Sequence, residues 1–160
     1  MRVIVCDSGP IIHLEEASCL DLLKNTGEIL SPKSVSFEIQ SVIDISESWP
    51  EWLKVITLSP SAEKEAETLA KIGGLHKGEA ETLVFANIKK ADWFLTDDTA
   101  ARLLASLLGL EVHGSLGILL WNLAEGNLSN EEAEQALERL VRSSLWLSAR
   151  ILKEARQAIR

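Results

Sequence analysis

Short apolar runs that alternate with longer helical segments constrain the fold of this chain more than any other feature. The runs VIVC, GEIL, ADWFLT and LEVHG are bounded by turns and are too short for buried helices, which favours buried strands. The stretch WLKVITLS adds a strand or an extended segment. Short buried strands that alternate with helices are typical of a parallel sheet covered on both faces. We therefore expect an α/β fold in three layers, with a short, mostly parallel sheet flanked by helices on both faces.

The segments between these strands carry recognisable helix signals. In SPKSVSFEIQSVI, Ser31 is predicted to be an N-cap with Pro32 in the first turn. Two glycines predict the end of the helix PSAEKEAETLAKI, and Ser129 with Glu132 predicts a capping box. The other predicted helices are PIIHLEEA, CLDLLKN after a break, HKGEAETLVFANIKK, DDTAARLLASLLG, SLGILLWNLAEG and LWLSARILKEARQAIR, and DISESWPEW is predicted to be a loop.

Length and composition predict one domain, residues 1–160. A chain of 160 residues that is 46% hydrophobic and 25% charged can bury a substantial core. No apolar run approaches the ~18 residues needed to span a bilayer. The N-terminal apolar run Val3–Cys6 is also too short for the core of a signal peptide. We therefore expect a cytoplasmic protein that does not bind membranes.

The charge of the chain is unevenly distributed. The net charge is −8, yet the segment from about 139 to 160 holds six Arg or Lys residues and a single acid. This basic, helical C-terminal tail has two readings. It is either the solvated face of an amphipathic helix, or an edge at which an otherwise acidic protein contacts a phosphate backbone.

Acidic residues follow two of the predicted strands directly. Asp7 comes after VIVC, and Asp97 and Asp98 come after ADWFLT. In open α/β sheets, ligands bind beyond the carboxyl ends of the strands, so these carboxylates would share one edge of the core if the two strands are neighbours. Each aspartate after ADWFLT could instead be the ordinary N-cap of the next helix.

Three helical acids could join them. Glu38 has apolar neighbours in its helix, and Glu79 and Glu81 lie in the first turns of the helix that precedes ADWFLT. Glu79 is one turn before Leu83, on the face that we expect to be buried. A buried carboxylate needs a partner, and carboxylate oxygens are suitable ligands for Mg²⁺ or Mn²⁺. Solvent exposure of Glu38, and a favourable interaction of Glu79 and Glu81 with the helix dipole, are the ordinary alternatives.

The ordered set VIVCDSGPIIHL, the helix with Glu38, GEAETLVFANIKKADWFLTDD and GSLGILL resembles the PIN-domain nucleases, and most closely a VapC-like branch. The resemblance extends from Val3 to about Arg150 and implies a PIN-like fold. It places the family's acidic, metal-binding and catalytic site on four residues: Asp7, Glu38, Glu79, where many relatives carry Asp, and Asp97. It also implies supporting residues around that site, namely Ser8, Glu81, Thr96 and Asp98.

The resemblance further implies a Mg²⁺- or Mn²⁺-dependent endoribonuclease, often the toxin paired with a small antitoxin and often a homodimer. Asp7 or Asp97 would orient the attacking water, a choice that the residues leave open. Candidate contacts with the RNA backbone are Arg102, Arg142, Arg150, Lys153 and Arg156, although Arg102 could instead pair with the acids. The rival interpretation is a PIN-like binding module with weak or no nuclease activity, because a fold does not establish an activity.

The aromatic and histidine residues give weaker signals. Trp49, Trp52, Trp121 and Trp146 could form core, dimer or antitoxin contacts. The apolar segment GILLWNLA suggests a dimer interface, with burial in the core as the alternative. His13 lies between apolar residues, which favours a position in the core or on the helix surface over a role as a ligand.

Overall fold

The computed structural model describes residues 1–42 and 49–160. It contains five strands: β1 Val3–Cys6, β2 Glu28–Pro32, β3 Leu53–Ile56, β4 Trp93–Leu95 and β5 Val112–His113. The helices are α1 Ser8–Glu16, a 3₁₀ helix Leu20–Asn25, α2 Lys33–Val42, α3 Pro60–Gly73, α4 Lys77–Lys89, α5 Thr99–Leu107, α6 Ser115–Ala124, α7 Asn130–Arg142 and α8 Ala149–Ile159. Most of the predicted loop DISESWPEW lies outside the described residues.

The five strands form one parallel sheet in the order β3-β2-β1-β4-β5. Strand β1 is central, and its Val5 pairs with Leu30 of β2 on one side and Phe94 of β4 on the other. The parallel sheet was expected from the sequence, and the pairing of β1 with β4 meets the condition under which Asp7 and Asp97 share one edge. All carboxyl ends of the strands therefore meet at one edge, and Asp7 lies at its centre.

Alternate residues of the strands pack into two separate cores, one on each face of the sheet. Ile4 of β1 and Leu95 of β4 point into a core shared with α1, α6, α7 and α8. Val5 and Phe94 point into the second core, with α3, α4 and α5. This arrangement confirms the three-layer α/β fold, because a sheet buried on both faces needs apolar residues in both directions.

The predicted start of α2 was wrong. Ser31 and Pro32 are the last residues of β2, pairing with Val55 and Ile56, and the helix begins at Lys33. The Ser31 hydroxyl donates to the carbonyl oxygen of Cys6 at 2.7 Å instead of capping a helix. Pro32 ends the strand, so its missing N–H leaves the preceding ladder intact.

Other local signals predicted the structure well. Gly74 ends α3 in the left-handed conformation (φ 65°), and Ser129 forms the capping box with Glu132. The segment CLDLLKN folds as a 3₁₀ helix instead of an α-helix, after a break at Ser18, which has φ 56°.

Helix α6 and the basic C-terminal segment both contribute to the first core. Ile118 and Leu119 of α6 are completely buried within the protomer, so core burial accounts for these residues of GILLWNLA. Helix α8 packs onto the same core through Ala155 and Ile159, and its basic residues lie on the opposite face. Among the described residues, no helix combines the length and apolar character required to cross a bilayer.

Candidate active site

An open cleft of about 730 Å³ lies at the carboxyl edge of the sheet, above β1 and β4. Its position follows from the parallel topology, because the loops and helix starts after neighbouring strands converge there. Most of the cleft residues are acidic, hydroxyl-bearing or imidazole side chains. The lining residues are Asp7, Ser8, Gly9, His13, Glu38, His76, Glu79, Asp97, Asp98, Thr99, Leu145 and Trp146.

Asp7 lies at the centre of the cleft floor and is only 3% exposed. It caps α1, with the Ser8 N–H donating to Oδ1 at 2.8 Å, and Thr96 Oγ1 donates to Oδ2 at 3.1 Å. Burial raises the pKa of Asp7 to about 6, and the carboxylates of Glu38 and Asp98 add to the increase against the two hydrogen bonds. Asp7 therefore carries a charge that the surrounding protein only partly stabilises.

Glu38 reaches the cleft from α2 because α4 crosses it at a glycine. Ser8 Oγ donates to Glu38 Oε2 at 2.8 Å, which ties the carboxylate to the start of α1. A Cβ atom on Gly78 would collide with this carboxylate and would lie 2.8 Å from its Cδ. Gly78 is therefore required for the close approach between α4 and the Glu38 side chain.

Glu79 and Asp98 are neighbours on the other side of Asp7. Glu79 is 9% exposed, as its predicted position on the buried face of α4 requires. Burial raises the pKa of Glu79 well above its usual value, and a side-chain hydrogen bond with Asp98 and repulsion by Asp98 and Asp7 raise it further, against a backbone hydrogen bond at His76. Asp98 also accepts the Ala101 N–H at 2.8 Å and caps α5, so it combines a structural role with a place in the cleft.

Asp97 has a different environment, because three donors surround its carboxylate. His13 Nδ1 lies 2.7 Å from Oδ2, Ser115 Oγ donates to Oδ2 at 2.5 Å, and the Ser115 N–H donates to Oδ1 at 2.7 Å. Burial alone would raise the pKa of Asp97, but these hydrogen bonds outweigh it and hold the pKa below the usual value. Gly114 permits this contact, because a Cβ there would lie 2.6 Å from Asp97 Oδ1.

The structure brings together most, but not all, of the residues expected at the site. Asp7, Glu38, Glu79, Asp97, Ser8 and Asp98 line the cleft, and Thr96 bonds to Asp7 from below. Glu81 instead faces α2, where Ser34 Oγ donates to it at 2.7 Å, and Lys77 lies 3.9 Å from it.

The basic residues proposed to contact RNA lie outside the cleft. Arg102 Nη1 donates to the carbonyl oxygen of Thr96 at 3.3 Å. Arg150 pairs with Glu154 at 3.2 Å, and Arg156 pairs with Glu138 at 3.0 Å. The remaining two of these residues, Arg142 and Lys153, are exposed.

Sequence reasoning missed two residues of the cleft. His13 was expected in the core or on the helix surface, yet its ring bonds to Asp97 and faces the cleft. A signal existed, because His13 is one turn beyond Gly9 in a helix that begins directly after Asp7. Trp146 lines the cleft with 82% of its surface exposed, which excludes the core position, whereas a dimer or antitoxin contact stays a prediction. Its position depends on how the α7–α8 connection folds back, which no local pattern indicates.

The donor set fits a hard divalent cation held mainly by water and one or two carboxylates. Within residues 1–42 and 49–160, no three acidic, histidine or cysteine side chains are arranged to hold a metal ion together. Mg²⁺ usually keeps several water ligands and binds proteins through only one or two carboxylates plus substrate phosphates, so a complete protein cage is not required. The raised pKa values of Asp7 and Glu79 show that negative charge in the cleft lacks a counter-charge.

Comparison with known protein families agrees with this description. A family model described as a PIN domain matches residues 3–160 and therefore includes the last helix. Searches of curated proteins and of solved structures found no significant match. PIN domains are generally nucleases that use divalent metal ions and act on nucleic acid. With its parallel sheet, its acidic cleft and a match over almost its whole length, the chain belongs to the PIN-domain family.

Proposed function

We propose that this protein is a Mg²⁺- or Mn²⁺-dependent endoribonuclease that hydrolyses phosphodiester bonds of RNA. The observation that carries the proposal is the cleft itself, in which Asp7, Glu38 and Glu79 converge from three different elements. No lysine or arginine lines the cleft in the part of the chain that the structure describes. An anionic substrate would be repelled by such a cleft unless a cation were bound there as well.

Asp7, Glu38, Glu79 and Asp97 are the proposed metal-binding residues, with Asp98 beside Glu79. A bound divalent cation lowers the pKa of a water molecule and offsets charge on the attacked phosphate. A carboxylate has about four lone-pair sites, of which Asp97 already uses three and Asp7 two. Asp7 therefore has more capacity to contact a cation or a water molecule than Asp97.

Side chains of the protein hold the attacking water and one another in position. Asp7 is the better candidate to hold the attacking water by a hydrogen bond, because it is central and has free lone pairs on both oxygens. Asp97 fixes the orientation of the His13 ring at the cleft wall. Ser8 links Asp7 and Glu38, since its N–H bonds to one and its hydroxyl to the other.

The proposed biological role is that of a toxin paired with a small antitoxin protein, with a second copy of the chain as a further partner. These roles follow from the VapC-like resemblance. Exposed apolar side chains on α3 and α5, including Ile72, Leu103 and Leu107, provide a surface of the kind that protein partners cover.

The experiment that tests the nuclease proposal measures cleavage of a structured RNA with Mg²⁺, with Mn²⁺ and with EDTA. Asp7→Asn and Asp97→Asn are compared with Asp21→Asn, which replaces an exposed acid on the 3₁₀ helix. We expect metal-dependent cleavage that both cleft variants lose and the control keeps. Cleavage that survives both cleft substitutions would place the activity elsewhere.

One observation favours the second candidate, a PIN-like binding module. As described, residues 1–42 and 49–160 contain no preformed three-ligand metal site. Thermal shift at millimolar Mn²⁺ separates the two functions. The nuclease proposal expects a metal-dependent rise in melting temperature that Asp7→Asn abolishes, and the binding-module alternative expects no rise.

A further inference from the structure

Trp146 is a large aromatic side chain that remains exposed at the rim of the acidic cleft. It is 82% exposed and lines the same cavity as Asp7, Glu79 and Asp97. An indole ring normally buries much of its surface in a folded protein, so an exposed ring beside a reactive site indicates a binding surface. Within the described ranges, no other Trp and no Phe or Tyr lines this cleft.

The short segment that carries Trp146 is anchored on both sides. Before it, Ser144 Oγ donates to Glu16 Oε1 at 2.6 Å, and the Leu145 N–H donates to Ser143 Oγ at 3.2 Å. After it, Ser148 caps α8 by accepting the Ile151 N–H. The ring is therefore presented to the cleft by a fixed backbone, which reduces the entropic cost of binding a ligand there.

We propose that Trp146 is a stacking platform for an unpaired nucleobase beside the phosphate held in the cleft. This inference rests on the proposed nuclease function and adds a base-binding residue, whose ligand is a nucleobase in single-stranded or looped RNA. Bases in a duplex are already stacked and paired, whereas an unpaired base offers a free face to an aromatic side chain. Stacking on an aromatic residue tolerates every base, so Trp146 would provide affinity for unpaired strands more than sequence selectivity.

A basic groove next to this segment supplies a path for the rest of the strand. Helices α7 and α8 border a cavity of about 510 Å³, in which four arginines, Arg139, Arg142, Arg156 and Arg160, outnumber two acids, Glu134 and Glu138. Arg142 and Arg160 have no acidic partner in the described part of the chain. Arg142 precedes Trp146 by four residues, so their Cα atoms are at most about 14 Å apart. A strand stacked on Trp146 therefore has positive charge close by.

The test measures RNA binding by the protein with all its cleft acids intact, on RNA whose phosphodiester linkages are replaced by phosphorothioates so that cleavage does not interfere. The probes are a fluorescent 12-nucleotide RNA of mixed sequence and the same RNA paired with its complement, both measured by anisotropy with Mg²⁺. Trp146→Ala is compared with Trp146→Phe, which keeps an aromatic ring. The matched control is Ile88→Ala, which removes an apolar side chain that is 55% exposed near the end of α4 and does not line the cleft.

We expect Trp146→Ala to weaken binding of the single strand by about tenfold or more, with little effect on the duplex. Trp146→Phe should restore most of the affinity, and Ile88→Ala should match the parent. Equal single-strand affinity for Trp146→Ala and its parent, or no RNA binding by the parent, would overturn the inference. A dimer that Trp146→Ala converts to a monomer without loss of RNA affinity would overturn it as well.

These outcomes are distinct from those that decide the nuclease proposal. If the wild-type protein binds single strands through Trp146 but shows no metal-dependent cleavage, the nuclease proposal fails and the stacking platform stands. If the wild-type protein cleaves RNA and Trp146→Ala neither loses affinity nor slows cleavage, the stacking platform fails alone.

Discussion

The carboxylates on the two sides of the cleft lie in opposite electrostatic environments. Asp97 accepts three hydrogen bonds from His13 and Ser115, and they keep its pKa low. Glu79 is similarly buried, yet the residues around it include the acids Asp98 and Asp7, which raise its pKa further. The protein thus stabilises the charge on one side of the cleft and leaves the charge on the other side unsatisfied.

This difference suggests that the carboxylates on the two sides of the cleft have different roles. A carboxylate whose lone pairs are largely occupied is suited to fixing the geometry of the wall, and its removal should damage the fold. A buried carboxylate with acidic neighbours and few donors destabilises the protein when it is ionised, and a bound cation would relieve this destabilisation. Residues retained at a cost in stability are typical of functional sites. The two sides should therefore respond differently to substitution.

The largest expected effect is on catalysis by Glu79→Gln. This substitution removes a proposed metal ligand and should lower the cleavage rate about 100-fold or more, as loss of metal-site residues commonly does. Above pH 8, where Glu79 is ionised, the melting temperature without metal should stay the same or rise, because repulsion by Asp98 and Asp7 disappears. Cleavage assays and calorimetry in EDTA check both parts. If Glu79→Gln melted well below the wild-type protein, the charge on Glu79 could not be the unsatisfied one.

Asp97→Asn should mainly reduce stability. The amide cannot accept the hydrogen bonds that both carboxylate oxygens accept, so one buried donor of His13 or Ser115 loses its charged partner. Loss of a hydrogen bond to a charged group costs about 2 kcal/mol, which lowers the melting temperature by roughly 4–8 °C in a domain of this size. Ser115→Ala should reproduce part of this loss. Equal melting temperatures for Asp97→Asn and Glu79→Gln would remove the distinction between the two sides.

Gly78→Ala tests the position of Glu38 without altering its charge. The new Cβ would occupy the place of the Glu38 carboxylate, which is the end of a flexible side chain and can move away. We expect cleavage to fall about tenfold, in line with the 10–100-fold cost of disturbing groups around a metal site. Stability should be kept or gain up to about 1 kcal/mol from helix propensity. Gly117→Ala in α6 is the matched control, since a Cβ there meets His113 at an ordinary 3.6 Å. Unchanged cleavage by Gly78→Ala would show that Glu38 is not needed in its present position.

The sequence predicted the sheet and the main acids because both depend on local patterns. Apolar runs predict strands, parallel strands place their following residues at one edge, and Asp7, Asp97 and Asp98 come directly after strands. The position of Glu81 was harder to predict, because Glu79 and Glu81 are two residues apart on α4 and face different directions. Glu81 points towards Ser34 and not into the cleft. The position of Trp146 depends on contacts between distant segments, which no local pattern encodes, whereas the spacing of His13 one turn beyond Gly9 was a local signal for its place at the cleft. The start of α2 was wrong because Ser31 and Pro32 are common both in helix caps and at strand ends.

The smallest expected effect is a difference in pH dependence of stability between the two sides, measured without metal in EDTA. The pKa of Glu79 rises from about 4.5 when unfolded to about 8 in the folded protein, so the folded state binds more protons over this interval. The stability that Glu79 contributes is complete below pH 4.5 and is lost as the pH rises through 8. The pKa of Asp97 is lowered on folding, so its contribution is present above pH 3.8 and is lost only as the pH falls through its folded value.

Between pH 5.5 and 8.5, Glu79 therefore titrates and Asp97 does not. Over this range the melting temperature of the wild-type protein should fall by a few degrees more than that of Glu79→Gln, because only the wild-type protein loses stability as Glu79 becomes ionised. The melting temperature of Asp97→Asn should be lower than that of the wild-type protein at every pH, but it should change with pH to the same extent. If Glu79→Gln kept the wild-type slope, the unsatisfied charge would have to lie on another group, and Asp7, whose pKa is raised to about 6, would be the next to substitute.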